Sequence, residues 1–318
     1  MQQHTRRLLV QLFFVFVLAA LSASAAPFAY VANLSGQNVT VVDRATNSPV
    51  ALIAVSGSPS GVAITPDGAY VYVTCQSANS VAIISTASRL VVGHIAVGAA
   101  PVQVRISSNA AYAYVVNQGS NSVSIINTST KTVVATVPVG TKPSGLAVTP
   151  DGSRVLVANR YSNNISVINT STHSIYATWA ALSGPSGVAV SPDGTLAYVS
   201  NQYANAVTVH SVATGAILAT IPGFISPNAV AISPNGSRLY VTNGSGQSVS
   251  AVDALLKKIT VTVPVGLLPT SVAVAADGSA AYVTNSYGYS VSKVNALTNA
   301  VTTITRIGVL PMSVALSR

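Results

Sequence analysis

Hydrophobic residues fall in short runs that are separated by polar turns through most of the chain. In one stretch the apolar runs cover 146–148, 155–159, 165–168 and 175–179. Runs of this length that are rich in β-branched residues are typical of strands and too short for helices. The Pro-Asp-Gly turn at 150–152 separates the first two runs, since proline fixes φ and glycine accepts a positive φ. The pattern predicts four antiparallel strands joined by tight turns.

This pattern of four runs returns every 42 residues. A Tyr-Val-x-Asn run, such as the one at 30–33, marks the copies, and a proline opens another apolar run in each. The prolines are Pro59, Pro101, Pro143, Pro185, Pro227, Pro269 and Pro311. Four strands in about 40 residues make one propeller blade. A β-solenoid is the main competing architecture, but its coils are usually shorter and lack two tight hairpins per repeat. We therefore predict an all-β, seven-bladed β-propeller.

The position of the chain ends within the repeat predicts how the ring closes. By analogy with other propellers, the proline-led run is the innermost strand and the Tyr-Val-x-Asn run is the second. The repeats begin with a second strand at 28–33 and end with an innermost strand at 313–316. One blade must then combine a single C-terminal strand with three N-terminal strands. Such a closing blade, shared by both termini, leaves no unpaired sheet edge.

Three motifs resemble the YVTN-repeat β-propellers over the whole of residues 26–318. They are the Tyr-Val-Thr-Asn strand, the Ser-Pro-Asp-Gly turn at 191–194 and the Gly-x-x-Pro connection at 140–143 and 266–269. Cys75 and Leu156 depart from the strand motif. The resemblance implies a secreted or cell-surface protein of the surface-layer type. The YVTN-repeat family has distant propeller relatives with lactonase, amine dehydrogenase or haem-linked activity. The resemblance therefore implies the fold strongly and the function weakly.

The first 25 residues have the features of an export signal. Arg6 and Arg7 precede an apolar stretch at 8–21, and small residues at 23–25 suit cleavage. The stretch is too short to span a bilayer as a helix, so we predict a signal peptide at 1–25 and a single propeller domain at 26–318. An uncleaved anchor is the alternative, and the general secretory and twin-arginine routes both stay open. We expect a secreted, periplasmic or cell-surface monomer without a transmembrane anchor.

Residues with acid–base or metal-binding chemistry are scarce. Charged residues make up 7% of the chain, and its six carboxylates are all aspartates. The aspartates fall at two turn positions where other copies have Asn or Ser, so a short polar side chain that bonds the turn backbone explains them. His94, His173 and His210 share no repeat position. Cys75 is the only cysteine, and we interpret it as a small buried residue. The sequence predicts no catalytic residue, no metal and no other cofactor.

Departures from the repeat on one face supply the candidate ligand-binding residues. This face, called the top, carries the loops from outermost to innermost strand and from second to third strand. Arg105 replaces an alanine that stands at the same position in the six other copies. Cations, aromatic rings and an amide in one sector without a carboxylate suit an anionic polymer. The candidate residues are Arg105, Lys142, Arg160, Tyr161, Gln202 and Tyr203.

These observations favour a non-catalytic scaffold that binds an extracellular or envelope protein or polysaccharide, with an anionic glycan as candidate ligand. A lactonase-like or dehydrogenase-associated enzyme propeller is the first alternative. The sparse His and Asp residues count against it. A nucleic-acid-binding propeller is the second alternative. The formal net charge of +9 is compatible with it, but the sequence has no dense Lys/Arg stripe.

Overall fold

The computed structural model describes residues 27–317, and every regular element in that range is a β-strand. The strands form seven antiparallel sheets of four strands each, and consecutive sheets contact one another through their inner strands. This is the predicted seven-bladed β-propeller. The predicted signal peptide at 1–25 lies outside the described residues. Between residues 27 and 317 no helix has the length and apolar character that crossing a bilayer requires.

Six blades follow the chain in order, each running from the innermost to the outermost strand. The strands of blades 1 to 3 are β4 (Pro59–Ile64), β5 (Tyr70–Cys75), β6 (Ser80–Ser85), β7 (Leu90–Ala96), β8 (Pro101–Ile106), β9 (Tyr112–Asn117), β10 (Ser122–Asn127), β11 (Thr132–Pro138), β12 (Pro143–Val148), β13 (Arg154–Asn159), β14 (Asn164–Asn169) and β15 (Ser174–Ala180). Those of blades 4 to 6 are β16 (Pro185–Val190), β17 (Leu196–Asn201), β18 (Ala206–Ser211), β19 (Ile217–Pro222), β20 (Pro227–Ile232), β21 (Arg238–Asn243), β22 (Ser248–Asp253), β23 (Lys258–Pro264), β24 (Pro269–Val274), β25 (Ala280–Asn285), β26 (Ser290–Asn295) and β27 (Val301–Ile304).

The closing blade joins the two ends of the chain, as the repeat predicted. Its order is β28 (Pro311–Leu316), β1 (Phe28–Asn33), β2 (Asn38–Asp43) and β3 (Ser48–Ala54). Val314 of β28 pairs with Val31 of β1. The Phe28 N–H donates to Ser317 Oγ at 2.8 Å, and the Ser317 N–H donates to the Phe28 carbonyl at 2.9 Å. The pairing of β28 with β1 and these two hydrogen bonds close the ring.

The core lies between the blades, where the second and third strands are buried on both faces. Tyrosines at the start of the Tyr-Val-x-Asn motif are at most 2% exposed, and Leu156 takes their place in blade 3. The outermost strands alternate exposed and partly buried residues, as in β15. This period of two is expected for a strand with only one covered face.

The innermost strands approach each other closely, and between blades 3 and 4 the approach leaves room only for glycine. A Cβ on Gly145 would lie 2.2 Å from the Ser186 carbonyl oxygen in the next blade. Gln103 takes the same repeat position in blade 2, and its Oε1 accepts a bond from the Leu146 N–H at 2.7 Å. The inner strands therefore form a tight ring around a central channel.

Side chains on the face opposite the top, called the bottom, connect neighbouring blades. Arg89 and Lys131 lie over the rings of Phe28 and Tyr70, which begin the second strand of the preceding blade, at 5.2 and 4.9 Å. In blade 3 the contact runs in the opposite direction. Arg154 begins the second strand there and donates to the Val212 carbonyl of the next blade at 2.8 Å. The repeat thus keeps a contact between blades while changing the residues that make it.

His210 is a fully buried histidine on β18, at a position where the other copies have Val or Ile. Its Nδ1 lies 3.2 Å from the Gly215 carbonyl, which can only accept, so Nδ1 carries the proton. Its Nε2 lies 2.9 Å from Thr208 Oγ1, which also receives a bond from Asn201 Nδ2. The ring stacks on Trp179 at 6.3 Å between centroids. Burial lowers the pKa of His210, so the folded protein favours the neutral imidazole.

Changes in β28 test ring closure. We expect deletion of residues 311–318 to remove the cooperative thermal unfolding transition, because it exposes the edge of β1. Val314→Asp should lower the melting temperature strongly, because it places a charge at a site that is 4% exposed. Differential scanning calorimetry measures both effects.

Val309 is the matched control for Val314, because it is 48% exposed in the loop that precedes β28. Val309→Asp should leave the melting temperature within a few degrees of wild type. Equal melting temperatures for Val314→Asp and Val309→Asp would show that β28 does not close the ring.

The buried His210 predicts lower stability in mild acid. Its folded pKa lies below the unfolded value of about 6.5. The stability it contributes is therefore present above that pH and is lost as the pH falls through the folded pKa, at up to about 1.4 kcal/mol per pH unit. Urea unfolding followed by Trp179 fluorescence at pH 7.5 and 5.5 should show this loss in wild type, and His210→Ile should reduce it. The exposed His94 provides the control His94→Gln. Equal pH dependence in wild type and His210→Ile would contradict the prediction.

Candidate functional site

The top face is built from loops that one backbone hydrogen bond fixes in all seven blades. In each blade the residue before the inner-strand proline accepts a bond from the first residue after the Tyr-Val-x-Asn strand. In blade 3 the Arg160 N–H donates to the Lys142 carbonyl at 3.1 Å, and Tyr161 donates to Thr141 at 3.2 Å. Lys142 has a φ of 54°, which turns the loop back over the strand. The first residue after the second strand is thereby held near the channel mouth.

A cavity of about 320 Å³ opens at this mouth. Its walls come from the innermost strands of the ring and from the first residues of the second-to-third-strand loops. Its polar and charged lining residues are Ser60, Gln76, Gln103, Arg105, Gln118, Ser144, Arg160, Ser186, Asn228, Thr270, Ser271 and Ser313. We call this cavity the upper cavity. Hydroxyl groups, amides and two guanidinium groups surround it, and no carboxylate lines it in the described part of the chain.

Arg105 stands on the inner strand β8 and lines both the upper cavity and a smaller apolar cavity of about 260 Å³ below it. Its one hydrogen bond runs from Nη1 to the carbonyl of the neighbouring Val104 at 3.2 Å. Burial lowers the pKa of Arg105, and no charged group among residues 27–317 offsets that effect. Arg105 is thus a partly buried cation that has no anionic partner in the described chain.

Arg160 brings a second cation to the same cavity. Its Nε is buried and makes no hydrogen bond within residues 27–317. Glutamines stand at the same loop position in blades 1, 2 and 4, and Nε2 of Gln118 donates to the Pro143 carbonyl at 3.4 Å. Arg160 therefore has a positive charge where other blades have a neutral amide. Its Nε–H remains available to donate to a ligand.

The structure brings together two of the six sequence-predicted site residues. Arg105 and Arg160 line the upper cavity, whereas Lys142, Tyr161, Gln202 and Tyr203 are not among its lining residues. Tyr161 and Tyr203 are 61% and 55% exposed on the adjoining loops. The Tyr203 ring covers Gly184, where a Cβ would lie 2.5 Å away. These four residues form a rim beside the cavity in blades 3 and 4.

Among the lining residues that the sequence reasoning missed, two depart from the repeat. Gln103 stands where other blades have Gly, Ala or Ser, and Asn228 stands where Ser or Thr is frequent. Both are departures from the repeat, the same signal that identified Arg105. Gln103 escaped notice because the close approach of the inner strands is not visible in the sequence.

The other residues with acid–base potential lie away from the upper cavity. Asp67, Asp151 and Asp193 sit in bottom turns, where hydrogen bonds from Thr65, Thr149 and Ser191 lower their pKa values. Cys75 is buried, and burial raises its pKa, so it stays a thiol. Among residues 27–317 no three of His, Cys and Asp lie close enough to hold a metal ion.

Two family models match parts of the chain. The model described as "YNCE-like beta-propeller" matches residues 103–196, and the model described as "Lactonase, 7-bladed beta-propeller" matches residues 168–263. Both describe the architecture observed here. The two matches support a β-propeller family. No curated protein matches this β-propeller.

Solved structures match this β-propeller over most of its length. Kuenenia stuttgartiensis hydrazine synthase is 23% identical with a TM-score of 0.75, covering 87% of this chain and 92% of its own. A protein described as a candidate 6-phosphogluconolactonase from Bacteroides uniformis is 16% identical with a TM-score of 0.77, covering 92% and 100%. One from Bacteroides fragilis, described likewise, is 16% identical with a TM-score of 0.78, covering 93% and 99%. At these identities the likeness shows the fold.

The prediction of a non-catalytic scaffold is wrong. The lactonase model covers 168–263, and the two Bacteroides structures are described as candidate lactonases, so the comparisons favour the enzyme-propeller alternative. The same comparisons, at 16% identity for the two structures, point toward enzyme activity and against the prediction that the chain is not an enzyme. The sequence reasoning required a carboxylate or histidine pair, but a buried cation can also stabilise the charge that develops in a reaction. The arginines were available for that role and were interpreted only as ligand-binding groups.

Proposed function

We propose that this β-propeller is a lactonase-type hydrolase whose substrate is a sugar lactone that carries an anionic group. The observation that carries the proposal is the pair of guanidinium groups, Arg105 and Arg160, in one carboxylate-free cavity. The match of the lactonase family model to 168–263 supports the reaction class. The two lactonase-described structures support the choice of a phosphorylated sugar lactone as the first substrate to assay.

The cavity has the groups that a polyhydroxylated substrate needs. Ser144, Ser186, Gln76 and Asn228 offer hydroxyl and amide groups that both donate and accept hydrogen bonds. At about 320 Å³ the cavity lies at the small end of ligand sites. It suits a single sugar ring better than a chain of several sugars.

Charge stabilisation is the chemical contribution we assign to the arginines. In lactone hydrolysis hydroxide from solvent adds to the carbonyl carbon and a tetrahedral oxyanion forms. The carbon–oxygen bond of the ring then breaks, the departing alkoxide takes a proton from water, and the new carboxylic acid loses its proton to the hydroxide so formed. A guanidinium group in a water-poor site stabilises such an oxyanion without reorganising. We assign this role to the more deeply placed Arg105 and the binding of the substrate's anionic group to Arg160. Because no Asp or His lines the cavity within the described chain, the attacking hydroxide comes from solvent.

Export remains part of the proposal. The motifs of the YVTN-repeat propellers and the predicted signal peptide at 1–25 support a secreted, periplasmic or surface-exposed enzyme that acts as a monomer. The hydrolysis would then take place outside the cytoplasm. Lys142, Tyr161, Gln202 and Tyr203 are retained as a proposed substrate-binding rim beside the cavity.

The repeat itself supplies substitutions that test the assignment. Arg160→Gln introduces the residue found at the same position of blades 1, 2 and 4, and Arg105→Ala introduces the residue found in all other copies. Both variants should fold. Each should lower kcat/KM for 6-phosphogluconolactone by about 100-fold, the typical cost of losing one group that stabilises an oxyanion or its substrate. Acid release measured above the spontaneous rate gives this value.

Arg306→Gln is the matched control, because Arg306 is an exposed cation on a top loop and does not line the cavity. It should keep the wild-type rate. The uncharged glucono-δ-lactone should be a poorer substrate, and Arg160→Gln should affect it less than the phosphorylated lactone. A wild-type rate no faster than the spontaneous reaction would refute the proposed function.

A further inference from the structure

The lower end of the channel holds a further cavity, which is larger than the two cavities described above. It has a volume of about 820 Å³, within the range of about 300–1,000 Å³ that is usual for small-molecule sites. Residues that end the innermost strands line it, together with bottom turns of blades 1 to 3 and the start of β1. Its apolar walls include Phe28, Ile64, Ile106, Val148 and Leu316. This lower cavity shares no lining residue with the upper cavity.

Among residues 27–317, Asp67 is the only charged residue that lines the lower cavity. Its Oδ1 accepts hydrogen bonds from Thr65 Oγ1 at 2.5 Å and from the Ala69 N–H at 3.0 Å. Its Oδ2 makes no hydrogen bond within residues 27–317. The carboxylate is thus fixed by one oxygen and offers the other to the cavity edge.

In blades 3 and 4 a hydroxyl two positions later occupies the second carboxylate oxygen, whereas in blade 6 the Ser279 hydroxyl donates to Asp277 Oδ1 at 2.7 Å. In blade 3 the Ser153 hydroxyl donates to Asp151 Oδ2 at 2.7 Å, and in blade 4 the Thr195 hydroxyl donates to Asp193 Oδ2 at 2.9 Å. Blade 1 has Ala69 at this position and therefore lacks the hydroxyl.

No cation neutralises Asp67 in the described chain. Hydrogen bonds from Thr65 and Ala69 lower its pKa, whereas Arg154 contributes to the lowered pKa of Asp151. Arg89 lies over the Phe28 ring at 5.2 Å but does not line the cavity and does not contribute to the pKa of Asp67. Asp67 is therefore a solvent-exposed negative charge, without a cationic partner among residues 27–317, at the edge of a mainly aliphatic and aromatic wall.

The Tyr30 hydroxyl adds a neutral polar group to the same wall. Tyr30 lines the lower cavity and makes no hydrogen bond through its hydroxyl within residues 27–317. Burial raises its pKa more than the positive charge of Arg89 lowers it, so it remains protonated. It can accept a hydrogen bond from a ligand, as Asp67 Oδ2 can.

We propose that the lower cavity is a binding site for an organic ammonium ion with an apolar body. The ammonium group would donate to Asp67 Oδ2 and the Tyr30 hydroxyl, and the apolar body would lie against Phe28, Ile64 and Leu316. An anionic ligand would be repelled by the Asp67 carboxylate, and a neutral ligand would form no ion pair with it. The site is independent of the lactonase activity proposed for the upper cavity.

A series of n-alkylammonium ions from butyl to octyl tests this site by isothermal titration calorimetry. Each added methylene that is buried should tighten binding about fourfold. n-Hexanol and hexanoate should bind at least about tenfold more weakly than hexylammonium, because they lack the charge-assisted hydrogen bond. Asp67→Asn should reduce hexylammonium affinity about tenfold, and it should fold because Asn109 and Asn235 occupy the same turn position.

Two further variants separate the cavity from general charge effects. Ala69→Ser restores the hydroxyl that occupies Oδ2 in other blades, and it should weaken hexylammonium binding severalfold without changing net charge. Asp193→Asn is the matched control, since Asp193 holds the same turn position but does not line the cavity. Its affinity should equal that of wild type. Absence of saturable binding, equal affinity for hexanol, or unchanged affinity in Asp67→Asn would each overturn the proposal.

Discussion

The pairing of β28 with β1 is the interaction on which the rest of the structure depends. It closes seven sheets into a ring, and only a closed ring gives the innermost strands neighbours on both sides. The contact of Gly145 with the next blade shows how little space separates these strands. The same closure defines a channel with two different ends. Stability cannot come from a disulfide, because the chain has one cysteine, so it rests on the packing between blades and on this pairing.

The two ends of the channel differ because the repeat constrains them differently. At the bottom, short turns need a polar side chain that bonds the backbone, and Asp or Asn supplies it. At the top, the loops are held by backbone bonds such as that between Arg160 and Lys142, and by asparagines outside the candidate positions, as where Asn121 Oδ1 accepts from the Lys142 N–H at 2.9 Å. Their side chains are therefore free to diverge from the consensus. Arg105 and Arg160 therefore lie at the top mouth and Asp67 lies beside the lower cavity, although the seven repeats give the channel pseudo-sevenfold symmetry.

Much of the fold could be predicted from the sequence, because the 42-residue period fixes strand number, strand order and closure together. The site could be predicted only in part. Arg105 and Arg160 stand out because they break a repeat, but nothing in the sequence shows that they line one cavity. Gln103 was missed because its role depends on the distance between inner strands. The function was misjudged for a chemical reason: paired acids were taken as the sign of an enzyme, and stabilisation of an anion by arginine was not considered.

The central claim is that the upper cavity binds anions through two arginines that have no carboxylate partner in the described chain. Titration of inorganic phosphate into the protein by calorimetry tests it most directly, because it requires no knowledge of the substrate. The account predicts saturable binding to wild type that weakens as salt rises, unchanged binding to Arg306→Gln, and no binding to the double variant Arg105→Ala/Arg160→Gln. Equal binding by wild type and the double variant, or none by wild type, would contradict it.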